Sequence, residues 1–408
     1  MNINLRAISY AAVLGMLLGC NTVPTPQQDV KNTNKNKLLR IATFNVSMEA
    51  TNYQSSEQSD TKSTLNANAL TQALASGDVQ QINNIAEIIQ RTRPDIILLN
   101  EFDYIAKREK GIDLFKTAYL EVSQNGLAPI TYPYVYLAPV NTGVKTELKG
   151  DAVKLTHFGF GRYAGQYGMV LLSKYPIVSE QVRTFQHFLW QDMPNNLMPV
   201  NPNGSQWYSS DERAIMRLSS KSHWDVPVNV CDNTIHVLAS HPTPPVFDGE
   251  EDRNGKRNHD EIRFWRDYIS PSSNHYIYDD NGRHGGVSPE SFVILGDLNA
   301  SAVDGDAHPN AINQLLSHPR VNHYNAPKSE GGLQNKPENT HAATHTAGWG
   351  MRADYVLPSA NLKVLNSAVF WPAKGKQGAH LVANRSASSD HRLVWVDVKI
   401  RDLPGCKN

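Results

Sequence analysis

Short, continuously apolar segments that end in polar side chains constrain the fold of this chain more than any other feature. Residues 95–99 and 292–295 read DIILL and FVIL. Such runs lack the alternation of a half-exposed strand and are typical of strands buried on both faces. Glu101 follows the first run and Asp297 follows the second. Polar groups at strand ends that avoid the core predict a site at the edge of a sheet.

Strands and helices alternate along the chain around a hairpin-like middle section. At 408 residues and 40% apolar composition, the chain is long enough for one large domain. We expect an α/β (α+β) fold, a four-layer sandwich of two packed mixed β-sheets flanked by helices. Asn258 is a plausible cap for the second predicted helix. The predicted elements are strands at 39–46, 169–172, 214–219 and 234–240, and helices at 82–91 and 259–270.

The N-terminal segment is predicted to be a targeting signal rather than part of the fold. Arg6 precedes an apolar stretch at 7–18, which is too short to span a bilayer and ends just before Cys20. This looks like a bacterial lipoprotein signal over 1–19, with Cys20 lipidated. We therefore expect an exported protein that is lipid-anchored in the bacterial cell envelope, periplasmic or at the cell surface. The alternative is an ordinary cleaved signal peptide.

The rest of the chain divides into a tether and a domain. Residues 20–37 are rich in Asn, Thr, Pro and Gln, which predicts a flexible tether, and 38–402 are expected to form the domain. A polar insertion at about 47–78 would be either a lid or a mobile surface loop. Cys231 and Cys406 could pair in an oxidising compartment, although sequence cannot show that they meet.

Further polar residues recur beside apolar segments in a characteristic order. With them the chain resembles the endonuclease/exonuclease/phosphatase superfamily of metal-dependent phosphoesterases from about Leu38 to Val398. One departure is Asn100, which stands where a glutamine often precedes the glutamate. The motifs are RIATFNV with Asn45, PDIILLNEFD with Glu101, GQYGMVLLSKYPI with Tyr167, HVLASHPTPP with His241, VILGDLNAS with Asp297 and Asn299, ADYVLPS with Asp354, and SSDH with Asp390 and His391.

The resemblance implies a metal site built from oxygen donors. Glu101 would be the principal ligand, and Asn45 and Asp390 would lie around the same ion. A carboxylate at a strand end, with the remaining positions left to water and substrate, is how Mg²⁺ is usually held. Because all these donors are oxygens, Mg²⁺ or Mn²⁺ is favoured over Zn²⁺.

The resemblance also implies roles for the other motif residues. Asp297 would orient and activate water, and Asn299 would donate to the nucleophile or transition-state oxygen. His391 would contact the scissile phosphate, with Asp354 holding its other ring nitrogen and raising its pKa. His241 would supply a second phosphate contact or the leaving-group proton.

The substrate is less constrained than the chemistry. We expect a Mg²⁺-dependent phosphoester hydrolase, most readily a phosphodiesterase or nuclease. The alternatives are a phospholipid or small-metabolite phosphoesterase of the same fold and a non-catalytic surface binding module. The net charge of zero does not show the excess of basic residues that is typical of nucleic-acid-binding proteins, but it does not exclude a nucleic-acid substrate. Tyr167 would contact substrate or pack in the core, whereas Lys374 and Arg385 could contact nucleic acid. No obligate protein partner is inferred.

Overall fold

The computed structural model describes residues 38–54, 67–287 and 291–399. The predicted signal segment with Cys20, the tether at 20–37 and Cys406 lie outside these ranges. Cys231 is disulfide-bonded. Since the described ranges contain no other cysteine, its partner lies outside them.

Strands make up most of the regular structure, and the helices are mainly short. The strands β1 to β11 are Leu38–Met48, Ile96–Phe102, Tyr134–Tyr136, Met169–Ser173, Arg183–Thr184, His223–Val230, Asn233–Ser240, Ser291–Asp297, Asp354–Pro358, Val364–Val369 and Val394–Lys399. The helices α1 to α7 are Ala69–Ser76, Gln80–Thr92, Ile112–Phe115, Ser210–Ile215, Arg253–Tyr268, Asn313–Leu316 and Glu330–Asn335. No helix in these ranges is both long enough and apolar enough to cross a bilayer.

The strands form two mixed sheets, which confirms the predicted fold class. The first sheet has six strands in the order β10-β11-β1-β2-β4-β3, and the second has five in the order β5-β6-β7-β8-β9. The β1 and β2 strands are parallel in the first sheet, as are β7 and β8 in the second. All other neighbours are antiparallel. Asn45, Glu101, His241 and Asp297 lie at or just after the carboxyl ends of β1, β2, β7 and β8, whereas Asp354 begins β9 and His391 precedes β11.

The strand β8 shows why its sequence is apolar without interruption. Val293 and Leu295 belong to the core shared with β1 and β2, whereas Phe292 and Ile294 belong to a second core with helix α5. Successive side chains of a strand point to opposite faces, so a strand covered on both faces must be apolar at every position. This burial fixes the end of β8, and with it the position of Asp297.

Asn100 joins the two sheets at their polar edge. Its side-chain amide donates to the carbonyl of Ser240 at 3.4 Å, and its oxygen accepts from the backbone N–H of Asp297 at 3.3 Å and from the Thr43 hydroxyl at 3.1 Å. All of these groups are buried. Asn100, which stands where a glutamine is usual, thus forms hydrogen bonds that connect the two sheets.

Two predicted elements of the middle section are wrong. The helix α4 occupies the first residues of the strand expected at 214–219. This helix begins at a capping box, in which Ser209 and Glu212 form reciprocal hydrogen bonds. The strand that pairs with β7 is instead His223–Val230. The predicted helix cap is also displaced, because α5 begins at Arg253 and Asn258 lies buried inside it.

The polar insertion at about 47–78 has more order than a surface loop requires. Its described part contains the end of β1, a 3₁₀ turn at Ala50–Tyr53 and the helix α1. Leu70 and Leu74 of α1 are buried in the main core. Hence at least this part packs on the domain, while residues 55–66 lie outside the described ranges.

Candidate active site

The ends of β1 and β2 place Asn45 and Glu101 together. Glu101 has a left-handed backbone with φ of 57°, which turns its side chain out of the regular alternation of β2. The Asn45 side chain hydrogen-bonds to this carboxylate, and its amide also donates to Asp297 Oδ2 at 3.1 Å. The structure therefore brings together side chains from both sheets.

A tight turn at the end of β8 orients Asp297 and Asn299. The backbone N–H of Asn299 donates to Asp297 Oδ1 at 3.1 Å, and its amide donates to the Pro242 carbonyl at 3.2 Å. Asn299 has a φ of 52°, so the chain leaves the extended conformation directly after β8. This is an Asx-turn that also presents both polar groups to the site.

His391 lies between two carboxylates. Its Nδ1 is 2.9 Å from Asp354 Oδ2, and its Nε2 is 3.5 Å from Asp297 Oδ2. Burial lowers its pKa, but Asp354 and Asp297 outweigh burial and raise the pKa to about 10. Thr346, which belongs to none of the motifs, donates from its hydroxyl to Asp354 Oδ2 at 2.6 Å. His391 is thus held in one orientation and in its cationic form.

Burial shifts the pKa values of Asp297 and His241 in opposite directions. Burial raises the pKa of Asp297 to about 7, with the His391 cation opposing the shift. His241 Nε2 lies 3.4 Å from Asp297 Oδ2, and its Nδ1 has no hydrogen-bond partner among the described residues. Burial, together with the neighbouring Lys221 and His391, holds the pKa of His241 well below its usual range. His241 is therefore neutral next to a cationic His391.

The donor set around Glu101 fits a hard divalent cation. Burial raises the pKa of Glu101, His391 and the hydrogen bond from Asn45 lower it, and Asp390 raises it. The Glu101 carboxylate forms no salt bridge with a described residue. Asp390 accepts from the Ser47 hydroxyl at 3.3 Å and pairs with Arg385 at 3.1 Å. Two carboxylates and an amide with incomplete charge compensation suit Mg²⁺ or Mn²⁺.

A second group of side chains also satisfies the spacing of a metal site. Asp297, Asp354 and His391 are buried and offer ligand atoms that all lie within 4.8 Å of one another. Asp354 Oδ1 has no hydrogen-bond partner within the described chain. However, both ring nitrogens of His391 already face carboxylates, which is the geometry of an ion-paired imidazolium. The structure thus contains two groups that could hold a metal, the one around Glu101 and this one.

Lys221 is a site residue that the motifs did not reveal. Its side chain is buried, and its Nζ reaches the Pro242 carbonyl at 3.5 Å, the same oxygen that accepts from Asn299. Burial lowers its pKa, while Glu261, Glu101 and Asp297 raise it. A buried ammonium beside the catalytic carboxylates is suited to an anionic substrate. No local sequence pattern marks it, because it lies in the loop before β6.

Aromatic side chains border this centre. Tyr167 is half-buried with a φ of 58°, and its backbone N–H donates to Asp103 Oδ1 at 3.1 Å. Its ring stacks on Phe160, which is 78% exposed. The ring of Trp349 is 4.9 Å from that of His391 and is 48% exposed. The sequence signalled neither Phe160 nor Trp349, because single exposed aromatics have no periodic pattern.

The two basic residues predicted to contact nucleic acid lie in different surroundings. Arg385 is mostly exposed and pairs with Asp390, so it lies beside the metal donors. Lys374 instead lines a cavity next to the loop that carries His391. Their roles in binding remain predictions.

Two mixed sheets that meet at clustered carboxylates, amides and histidines define a hydrolase of the metal-dependent type. The profile of the endonuclease/exonuclease/phosphatase family matches residues 42–391. The chain belongs to this family, whose members are metal-dependent phosphoester hydrolases. Its activity is therefore that of a metal-dependent phosphoesterase.

Comparison with solved structures finds chains of similar fold, whereas no curated protein sequence matches. The endonuclease/exonuclease/phosphatase from Beutenbergia cavernae is 17% identical over 89% of this chain and 72% of its own, with a TM-score of 0.48. A Staphylococcus aureus beta-toxin variant with bound magnesium ions is 14% identical over 88% and 99%, with a TM-score of 0.41. Sphingomyelinase C from Streptomyces griseocarneus is 14% identical over 88% and 99%, with a TM-score of 0.40.

Proposed function

We propose that this protein is a Mg²⁺-dependent phosphodiesterase that cleaves nucleic acid. The observation that carries the proposal is the ion-paired His391, held between Asp354 and Asp297 beside the donor set of Glu101. A cationic imidazolium and a divalent metal on one side of a buried carboxylate form a site for an anionic ester.

Each polar residue of the site has a separate role in the proposed hydrolysis. His391, cationic through Asp354, binds a non-bridging oxygen of the phosphate. Asp297 accepts a hydrogen bond from the attacking water and takes its proton, which a pKa of about 7 permits near neutral pH. Asn299 donates to the same region without adding negative charge against the phosphate. Mg²⁺ held by Glu101, Asn45 and Asp390 would neutralise charge on the phosphate and the leaving oxygen.

The borders of the site favour nucleic acid among the phosphoesters. Exposed aromatic rings provide surfaces on which bases stack, and the ring of Phe160 packs on Tyr167 while that of Trp349 packs on His391. The same rings could contact the apolar part of a phospholipid, which is the second candidate substrate. A binding module without catalysis is disfavoured, because the structure brings Glu101, Asp297 and His391 together intact.

The anchor and location are part of the same proposal. We infer from residues 1–20 that the enzyme is exported and held on the bacterial envelope by a lipid at Cys20. The domain would then act on substrate outside the cytoplasm.

The test uses the purified protein with plasmid DNA, RNA, bis(p-nitrophenyl) phosphate and sphingomyelin, each with Mg²⁺ or with chelator. Asp297→Ala removes the proposed base, and Asp113→Ala is a matched control because Asp113 pairs only with Arg108 at the surface. We expect Mg²⁺-dependent cleavage of nucleic acid by the wild type and by Asp113→Ala, but not by Asp297→Ala. Cleavage of sphingomyelin alone would replace the nucleic-acid proposal, and equal activity in all variants would refute the assignment of Asp297.

A further inference from the structure

A cavity of about 690 Å³ lies beside the catalytic loop and has an excess of positive charge. It is formed by α7 and the segment after β10. Its described lining includes no aspartate or glutamate. The polar and aromatic lining residues used below are Gln334, Asn335, Trp371, Lys374, Lys376 and His380.

The positive charge of the cavity is not compensated by neighbouring acids. Neither Lys374 nor Lys376 forms a salt bridge with any residue of the described ranges. The chain as a whole has a net charge of zero, so this cluster is a local segregation of charge. A concave surface with lysines and no carboxylate attracts an anion and disfavours a cationic headgroup such as choline.

Arg392 connects the cavity to the catalytic loop. It directly follows His391, is 4% exposed, and stacks over the ring of Trp371 at 4.4 Å. One guanidinium nitrogen donates to the Ser389 carbonyl at 2.7 Å and the other to the Val382 carbonyl, on the cavity wall, at 3.0 Å. Its Nε has no hydrogen-bond partner in the part of the chain that the structure describes. The loop and the cavity wall are therefore one packed unit.

A second contact ties the opposite wall to the same loop. The Asn335 amide donates to the Gly348 carbonyl at 3.0 Å, and the Gly348 N–H donates to the Asp390 carbonyl at 2.7 Å. Trp349, which packs on His391, follows Gly348 directly. The wall that contains Asn335 is thus joined through Gly348 to Asp390, which directly precedes His391.

We propose that this cavity binds a second phosphate of the substrate, the one adjacent to the scissile phosphate in an oligonucleotide. The inference rests on the proposed function and names its substrate class more closely. Lys374 and Lys376 would pair with the phosphate oxygens, the amides of Gln334 and Asn335 would donate to the sugar or phosphate, and Trp349 would stack on the intervening base. The scissile phosphate would stay at His391.

The test compares substrates with one phosphate and with several. Bis(p-nitrophenyl) phosphate has only the scissile phosphate, whereas a trinucleotide carries a neighbour for the cavity. We would measure kcat/KM for both with the wild type, with Lys374→Ala/Lys376→Ala, and with Lys363→Ala. Lys363 is an exposed lysine directly before β10, at the other end of that strand from Trp371, and serves as the matched charge control.

We expect the ratio of kcat/KM for the trinucleotide to that for the one-phosphate ester to fall about tenfold in the double variant. The loss should appear as a higher KM with a weaker salt dependence, and Lys363→Ala should keep the wild-type ratio. An unchanged ratio in the double variant, with its melting temperature intact, would overturn the cavity proposal. A selective loss of sphingomyelin cleavage would overturn it as well.

The outcome is separable from that of the proposed function. If the wild type does not hydrolyse bis(p-nitrophenyl) phosphate or nucleic acid with Mg²⁺, the proposed function fails. If it hydrolyses both and the double variant keeps the wild-type ratio, only the cavity inference fails.

Discussion

Replacing Asp354 by asparagine tests whether a cationic His391 is required. The change keeps the size of the side chain and an oxygen that can accept from the Thr346 hydroxyl and from His391 Nδ1, which lie 2.6 and 2.9 Å from Asp354 Oδ2. It removes the negative charge, which contributes most to raising the pKa of His391. The imidazolium would keep only the more distant Asp297 as its counter-charge.

The size of the effect follows from the protonation of His391. With a pKa of about 10, His391 is cationic at pH 8 in the wild type. If the variant returns to an ordinary histidine pKa of about 6.5, roughly 3% of it is protonated at pH 8, so kcat/KM falls about 30-fold. In the variant burial would still lower this pKa and Asp297 would still raise it, so the ordinary histidine value is taken as the reference. At pH 6 the ratio of kcat/KM in the variant to that in the wild type should recover most of this loss, although both proteins lose activity as Asp297, with a pKa of about 7, becomes protonated.

The stability change has a sign that can be checked separately. A histidine whose pKa is raised on folding stabilises the protein fully below its unfolded pKa, and this stabilisation is lost as the pH rises through its folded pKa. The difference in unfolding free energy between the wild type and the variant should therefore be larger near pH 6.5 than near pH 10. Thermal unfolding at both pH values measures this difference.

The assay is kcat/KM for bis(p-nitrophenyl) phosphate with Mg²⁺ between pH 5.5 and 9. Asp113→Ala, at the surface, should retain the wild-type pH profile. A loss in Asp354→Asn that is the same at every pH, or a loss below threefold, would refute the requirement for a cationic His391. A loss that added Mg²⁺ restores would instead indicate that Asp297, Asp354 and His391 bind the metal.

Three other substitutions test separate parts of the site. Asp297→Asn should reduce kcat by at least about 10³-fold. It should nevertheless raise the melting temperature at pH 8, because burial raises the pKa of this carboxyl to about 7 and the ionised form that prevails at pH 8 opposes folding. Glu101→Gln should raise the Mg²⁺ concentration for half-maximal activity by about tenfold or more, measured by Mg²⁺ titration after EDTA treatment. Lys221→Met should keep the Mg²⁺ dependence but raise KM about tenfold, because a buried ammonium beside Asn299 would be lost; an unchanged KM would exclude Lys221 from substrate binding.

Much of the site could be predicted because its residues lie at the ends of strands that are apolar at every position. Because β8 is buried on both faces, its sequence is apolar at every position, and β2 contains a similar apolar run. The end of each run predicts the end of its strand. The motif order then indicated the family. The sequence could not position α4 and β6 correctly, since the choice between a helix and a strand at 214–219 depended on the capping box at Ser209 and on pairing with β7.

The sequence by itself determined which side chains are available for chemistry: Asp297, Asn299, Glu101, Asp354 and His391. Only the tertiary structure decided their partners, because each pair is formed between segments far apart in the chain. His391 meets Asp354 across 37 positions, and Asn45 meets Asp297 across 252. Lys221 and Trp349 became visible for the same reason, since the environment of a single side chain is set by packing that no local pattern records.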